Sequence, residues 1–171
     1  MSGLTRGGEA SIFLYREMRN QDAPNPLDRF TRVAHALADP CRVRLLAACL
    51  GRERCVCQLV ALIDRPNATI SKHLGVLRDA GLLRSRRDGR WIHYSTPAEP
   101  DALVRDALDQ VRAHAAGDER LACDRASLDR IDAIEPSVLA RMQREGCCPD
   151  LTAPPTSPAG EAPAQPERTP S

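Results

Sequence analysis

Aromatic side chains are scarce in this chain: one Trp, two Tyr and two Phe make up 3% of 171 residues. With 10 Gly and 14 Pro also present, the compact part must be smaller than the length implies, one domain or one domain with tails. No apolar run approaches the roughly 18 residues a membrane-spanning helix needs. The first residues lack the basic, apolar and small-residue succession of a secretory leader, so the expected location is cytoplasmic. No internal repeat is present. In such a compartment the seven Cys point to metal binding or reactive thiols rather than a disulfide framework.

The net charge of +1 hides a split. Leu27 to Thr96 carries 13 Lys/Arg against 6 Asp/Glu, whereas Pro97 to Ser171 carries 8 against 14. A basic middle with an acidic rear suits a DNA-facing module beside a face that avoids DNA. Residues 1–26 form an arm in which Ile12, Phe13, Leu14 and Met18 would give a short helix. Leu27 to Ala38 predicts a helix with Phe30, Val33, Ala34 and Leu37 on one face. Asp39-Pro40 restarts the chain, since Asp caps well and Pro suits the first helical position. Val43, Leu46, Ala47 and Leu50 continue the apolar stripe to Gly51. Cys55 to Ile63 predicts a third short helix, with Leu59, Leu62 and Ile63 inward, before a turn at Asp64-Arg65-Pro66. After the following helix, Leu82 to Arg87 and Arg90 to Thr96 flank Asp88-Gly89, the strongest short hairpin signal, its tip loaded with Arg84, Arg86, Arg87 and Arg90. Helices followed by a basic hairpin predict a mainly α fold with a small β wing (α+β), a winged helix-turn-helix spanning 27–116.

Asp101 to Ala116 predicts a helix with Leu103, Ala107 and Val111 in line and Val104 and Leu108 beside them. It follows a completed module, and a core of about 90 residues buries its surface poorly alone; its apolar face is expected to seek a second copy. Residues 117–148 form a helical extension ending in Cys147-Cys148, with Pro136 opening a helix, and 149–171 a Pro-rich disordered tail.

The stretch that organises the chain is Asn67 to Gly81. Ile70, Leu74 and Leu77 repeat at helical period, Asn67 is placed to cap the start and Gly81 the end. Thr69, Ser71, Lys72 and His73 lie off the apolar face, small donors and a cation near the helix start. They suit a DNA major groove, with base contacts expected from Ser71 and Lys72 and backbone contacts from Arg86, Arg87 and Arg90.

Two thiols, Cys55 and Cys57, open the third predicted helix in Glu53-Arg54-Cys55-Val56-Cys57. At i and i+2 on a regular helix they point roughly 200° apart, so one ion held by both would require that turn to open. The helix N-terminus and the neighbouring Arg52 and Arg54 should favour thiolate, which selects soft acceptors. A thiol enzyme, an oxidoreductase or arsenate reductase, is disfavoured, because Cys-Val-Cys has no adjacent Gly-rich anion loop or positioned His base.

From Leu27 to Val111 the chain resembles the winged-helix metal- and metalloid-sensing repressors of the ArsR/SmtB family, and within it the arsenic-sensing branch, whose inducer site reads Glu-Leu-Cys-Val-Cys. The resemblance rests on Ala36-Leu37-Ala38-Asp39-Pro40 with Arg42 and Arg44, on Ile70-Ser71-Lys72-His73-Leu74 and Leu77-Arg78-Asp79-Ala80-Gly81-Leu82, and on Gly89-Arg90-Trp91-Ile92-His93-Tyr94. It implies a homodimeric repressor, not an enzyme, that needs no cofactor and is released from double-stranded DNA when trivalent arsenic or antimony binds two or three sulfurs. Two-fold symmetry would give a palindromic operator with half-sites roughly 34–36 Å apart. A cadmium- or lead-responsive repressor and a thiol-redox repressor are the alternatives within the fold.

Departures from the family pattern define what else to look for. Arsenic sensors often carry a third Cys three residues after the second, where this chain has Val60. Cys147 and Cys148 are the first candidates to supply it and Cys123 the next, while Cys41 and Cys49 read as small core residues. Arg54 replaces the usual Leu, and Pro66-Asn67-Ala68 stands where Ser-Gln-Pro is common. Zinc-sensing relatives place Asp-x-His and His-x-x-Glu on the late helix; Asp101-Ala102-Leu103 and His114-Ala115-Ala116-Gly117 match neither. His93 and His114 read as packing or surface residues.

Overall fold

A computed structural model describes residues 25–63 and 65–145. The expected arm helix, the Cys147-Cys148 pair and the Pro-rich tail lie outside the described residues. Helix α1 spans Pro26–Leu37 and α2 spans Pro40–Ala48. The Asn25 side chain accepts the Leu27 N–H at 3.0 Å and Asp39 accepts the Arg42 N–H at 2.9 Å, each followed by a Pro in the first helical turn. These caps satisfy N–H groups that a helix start leaves unpaired. Strand β1 (Arg54–Cys55) leads directly into α3 (Val56–Ile63), and α4 (Asn67–Asp79) follows. Gly81, at φ +78°, ends α4 in the left-handed region a glycine tolerates. The Leu82 N–H then returns to the Leu77 carbonyl at 3.0 Å.

Strands β2 (Arg84–Asp88) and β3 (Trp91–Ser95) form an antiparallel hairpin, and β1 adds to the other edge of β3, giving the order β1-β3-β2. Helices α5 (Ala102–Ala115), α6 (Glu119–Asp132) and α7 (Pro136–Arg144) complete the chain, α6 and α7 packing on α3. The architecture is a winged helix-turn-helix with a helical extension. Its core is aliphatic, as the shortage of rings requires: Leu45, Leu46, Leu59, Ile70, Leu74, Leu77, Leu82 and Leu83 are all buried. Among the described residues no helix is long and apolar enough to cross a membrane.

Several expectations are corrected. The hairpin loop is Gly89-Arg90, since Asp88 pairs with Trp91, and Gly89 takes φ +56° as the first residue of a primed two-residue turn requires. Leu82 and Leu83 precede the strand because the helix terminus pulls them into the core. Helix α4 is capped at Pro66, not Asn67, which makes no capping bond and instead accepts the Ser71 hydroxyl. On α1, Val33 and Ala36 are buried whereas Phe30 and Ala34 are exposed, because α2, α4 and α5 cover only one side of that helix. Conversely, Val104, Ala107, Leu108 and Val111 of α5 are buried within this chain, so that face is not the one left for a second copy. Among the described residues, the large apolar side chains left uncovered are Leu27 and Phe30 on α1 and Ile92 on β3.

Candidate functional site

The sulfurs of Cys55 and Cys57 sit 2.7 Å apart, both residues buried. This overturns the expectation that they point apart. Cys55 is not helical: its backbone is paired with His93 in the sheet, and α3 begins one residue later. An extended residue followed by a helix start folds i and i+2 onto the same side. No turn has to open to bring the thiols together.

Cys57 donates its S–H to Cys55, and this contact governs their ionisation. It draws the Cys55 thiol from 9.0 down to about 6 against the opposing effect of burial; the backbone N–H groups of Cys57 and Gln58 and the charge of His93 assist. The same contact, with burial, pushes Cys57 far above the ordinary thiol range. The pair therefore gives up its first proton easily and its second with difficulty. Ionisation of the first thiol increases as pH rises through about 6. Ultraviolet thiolate absorbance is expected to show one such transition near pH 6. Cys57→Ala, which removes the donor altogether, should move it upward; an unmoved midpoint would remove the sulfur contact as its cause. Cys49 cannot mimic the transition, since burial pushes its thiol up to about 12.

The turn carrying these sulfurs is held from two directions. The Cys55 N–H donates to Gln58 Oε1 at 2.8 Å, and Gln58 Nε2 in turn donates to Asp132 at 3.1 Å. Asp132, the last residue of α6, also accepts from Arg54 and, at 2.8 Å, from Arg52. Arg54 is buried and donates to the Ala48 carbonyl at 2.9 Å. Gln143 of α7 donates to the Cys57 carbonyl at 2.7 Å. Farther along α6, Asp124 receives a bidentate pair from Arg44 on α2, both contacts 2.7 Å. The extension thus grips the thiol turn through its own polar residues. Cys123 is not brought there: it is exposed, and nine residues before Asp132 places it on the opposite side of α6.

On α4, Ser71 and Lys72 are exposed, Thr69 is half-buried, and His73 is turned back, its Nδ1 3.9 Å from Asp39 Oδ1. His73 therefore does not present its ring as a free groove contact. Arg86 is likewise engaged, with Glu53 at 2.7 Å and Asp88 at 3.0 Å. That pairing holds the Glu53 carboxyl below its usual range and fastens the wing to the loop before β1. Arg87 contacts the Gly89 carbonyl, and Arg90 lies over the Trp91 ring, 4.8 Å from its centre. Sequence reasoning missed β1 and the part of Asp132; a two-residue strand has no periodicity, and Asp132 lies 78 residues from Arg54.

The model of the "Bacterial regulatory protein, arsR family" matches residues 39–85, the segment from the α2 cap into β2. An arsenic resistance transcriptional regulator of Pseudomonas putida, ArsR2, is 40% identical over 78 residues, 44% of this chain and 67% of that protein. The chain belongs to the arsR family. The arsenical resistance operon repressor of Escherichia coli is 40% identical over 76 residues, 43% of this chain and 64% of the repressor. A cadmium resistance regulatory protein homologue, CadC, of Staphylococcus aureus is 36% identical over 76 residues, 44% of this chain and 62% of that protein. The match thus spans less than two thirds of the length of these last two relatives. The arsR family is one of bacterial regulatory proteins.

Proposed function

We propose that this arsR-family chain is a homodimeric transcriptional repressor that leaves its double-stranded operator when trivalent arsenic or antimony binds Cys55 and Cys57. The observation that carries the reading is the converged sulfur pair at the junction of the wing sheet and α3. A soft ion bonded to both thiolates ties the two sulfurs to one centre. Cys55 moves with β1, which is hydrogen-bonded to the wing strand β3, and Cys57 moves with α3, which packs on α4. A guest bonded to both sulfurs thereby acts on the wing and the reading helix together.

Further sulfur is assigned to Cys147 and Cys148. Gln143 already touches the Cys57 carbonyl, and Cys147 follows it by four residues in the sequence. The exposed Leu27 and Phe30 of α1, with Ala34 on the same face, support the two-fold contact. Ser71, Lys72 and Thr69 serve the major groove, and Arg87 and Arg90 the flanking backbone. Replacing both arginines by Ala should weaken DNA binding for every sequence and reduce the salt slope by about 1.8, at 0.9 per phosphate contact. Arg86→Ala should change it less, because Glu53 and Asp88 already offset that charge; a larger effect from Arg86 would reverse the assignment.

The test is arsenite titration of the operator-bound protein, followed by fluorescence anisotropy, with cadmium in parallel. Release by arsenite is expected. Release by cadmium alone would favour the second reading, which the name of the staphylococcal relative supports.

A further inference from the structure

Neither His73 nor Cys41 stands where sequence pattern puts it. His73 is folded back from the groove face of α4, and Cys41, expected in the core, is only half-buried in the first turn of α2. Both converge on Asp39, the residue that caps α2. One ligand atom from each of Asp39, Cys41 and His73 lies within 4.8 Å of the other two. No hydrogen bond among the described residues uses the His73 ring or the Cys41 thiol, and the 3.9 Å between His73 Nδ1 and Asp39 Oδ1 is too long for one.

We propose that Asp39, Cys41 and His73 form a metal site for a borderline divalent ion of the zinc or cobalt type, joining the start of α2 to the DNA-reading helix. A thiolate, an imidazole and a carboxylate are the donor types such ions take, and three protein ligands leave a fourth position for water. The donors, within 4.8 Å of one another, would draw in to tetrahedral spacing, roughly 3.5 Å, around an ion. Asp39 is oriented by its bond to the Arg42 N–H, at 2.9 Å, leaving other lone pairs of the carboxylate for the ion.

The cations nearby are largely answered by other groups. Arg42 donates to the carbonyls of Ala36 and His35 at 2.8 and 2.6 Å, with Asp39 Oδ2 3.8 Å away, and Arg44 is paired to Asp124. Arg65 also acts on the Cys41 thiol, whose pKa burial and Asp39 raise above its ordinary value. A metal taken by a thiol displaces its proton, so affinity falls as pH is lowered. The site lies outside the Cys55–Cys57 pair. It gives the reading helix a second metal input that acts directly on the residue beside Lys72.

The experiment uses full-length protein in which Cys55, Cys57, Cys123, Cys147 and Cys148 are all Ser, titrated with Co2+. One cobalt per protomer is expected, with a sulfur-to-cobalt charge-transfer band and intense tetrahedral d–d absorption. Adding Cys41→Ser should abolish the charge-transfer band. His73→Gln and Asp39→Asn, the latter keeping a good helix cap, should each weaken binding about tenfold or more. In the wild-type chain the His73 ring resonances should shift with Zn2+, and this shift should vanish in Cys41→Ser. That second measurement does not depend on the multiple variant folding. Absence of binding below millimolar Co2+ together with unmoved His73 resonances overturns the site, as does a cobalt spectrum indifferent to Cys41; the trio is then only a contact between α2 and α4.

Discussion

Cys55→Ser/Cys57→Ser protein is expected to bind its operator normally and to stay bound when arsenite is added, while the wild type is displaced. Allosteric coupling between two sites typically amounts to about 1–3 kcal/mol, a factor of roughly 5–150. Two inducer sites per dimer would make a hundredfold loss of operator affinity attainable, and the double variant should show none of it. DNA binding itself should survive because Ser is smaller than Cys and keeps a donor, and because Ser71, Lys72, Arg87 and Arg90 do not touch the sulfurs. The same titration on Cys147→Ser/Cys148→Ser should leave displacement possible but require more arsenite, with a lower sulfur count by arsenic X-ray absorption. An unaltered count would remove the terminal pair from the site. Displacement of the Cys55/Cys57 double variant at wild-type arsenite concentrations would sink the sensing site altogether.

Asp132→Ala is expected to be the most destabilising single change outside the aliphatic core. The carboxylate answers Arg54, Arg52 and Gln58 together, and the Arg54 and Asp132 side chains are only 9% and 13% exposed. Removing it leaves the Arg54 guanidinium buried with the Ala48 carbonyl as its remaining partner. Breaking a buried ion pair from one side costs about 3–5 kcal/mol, since the surviving charge keeps its desolvation penalty. For a chain of this size that corresponds to a fall of about 10 °C in the unfolding midpoint. Adding Arg54→Leu, which restores the residue the arsenic-sensing pattern carries there, should recover much of the loss by removing the stranded charge. A cycle of the four proteins measured by thermal and urea unfolding gives the coupling directly. An Asp132→Ala protein within about 1 kcal/mol of wild type would mean that the extension is not held to the thiol turn by this pair.

The Arg54–Asp132 link also explains a departure that sequence reading could only note. At the position before Cys55 an apolar residue would pack without polar partners. This chain places a cation there, and the chain beyond the winged module supplies the anion. The substitution and the extension are two halves of one device, and neither half is intelligible from its own stretch of sequence.

Much of the molecule was nonetheless written locally. Asn25-Pro26 and Asp39-Pro40 start helices because a capping side chain and a ring-fixed φ act within a few residues. Ile70, Leu74 and Leu77 set the buried face of α4 by period alone. Gly51, Gly81 and Gly89 mark turns that take a left-handed backbone. The Cys55–Cys57 motif, the basic wing and the family could be read from order and spacing. What spacing could not supply was the path of the backbone between the two thiols. Cys55 is extended only because β3, nearly 40 residues later, offers it a strand edge, and that long-range hydrogen bonding turns sulfurs that a helix would separate into a pair in contact. The same reason governs His73, Arg86 and Asp132: their partners Asp39, Glu53 and Arg54 are distant in sequence. Which charges are free to meet DNA was therefore decided by packing, after residue type and period had settled where the helices begin and which sides they bury.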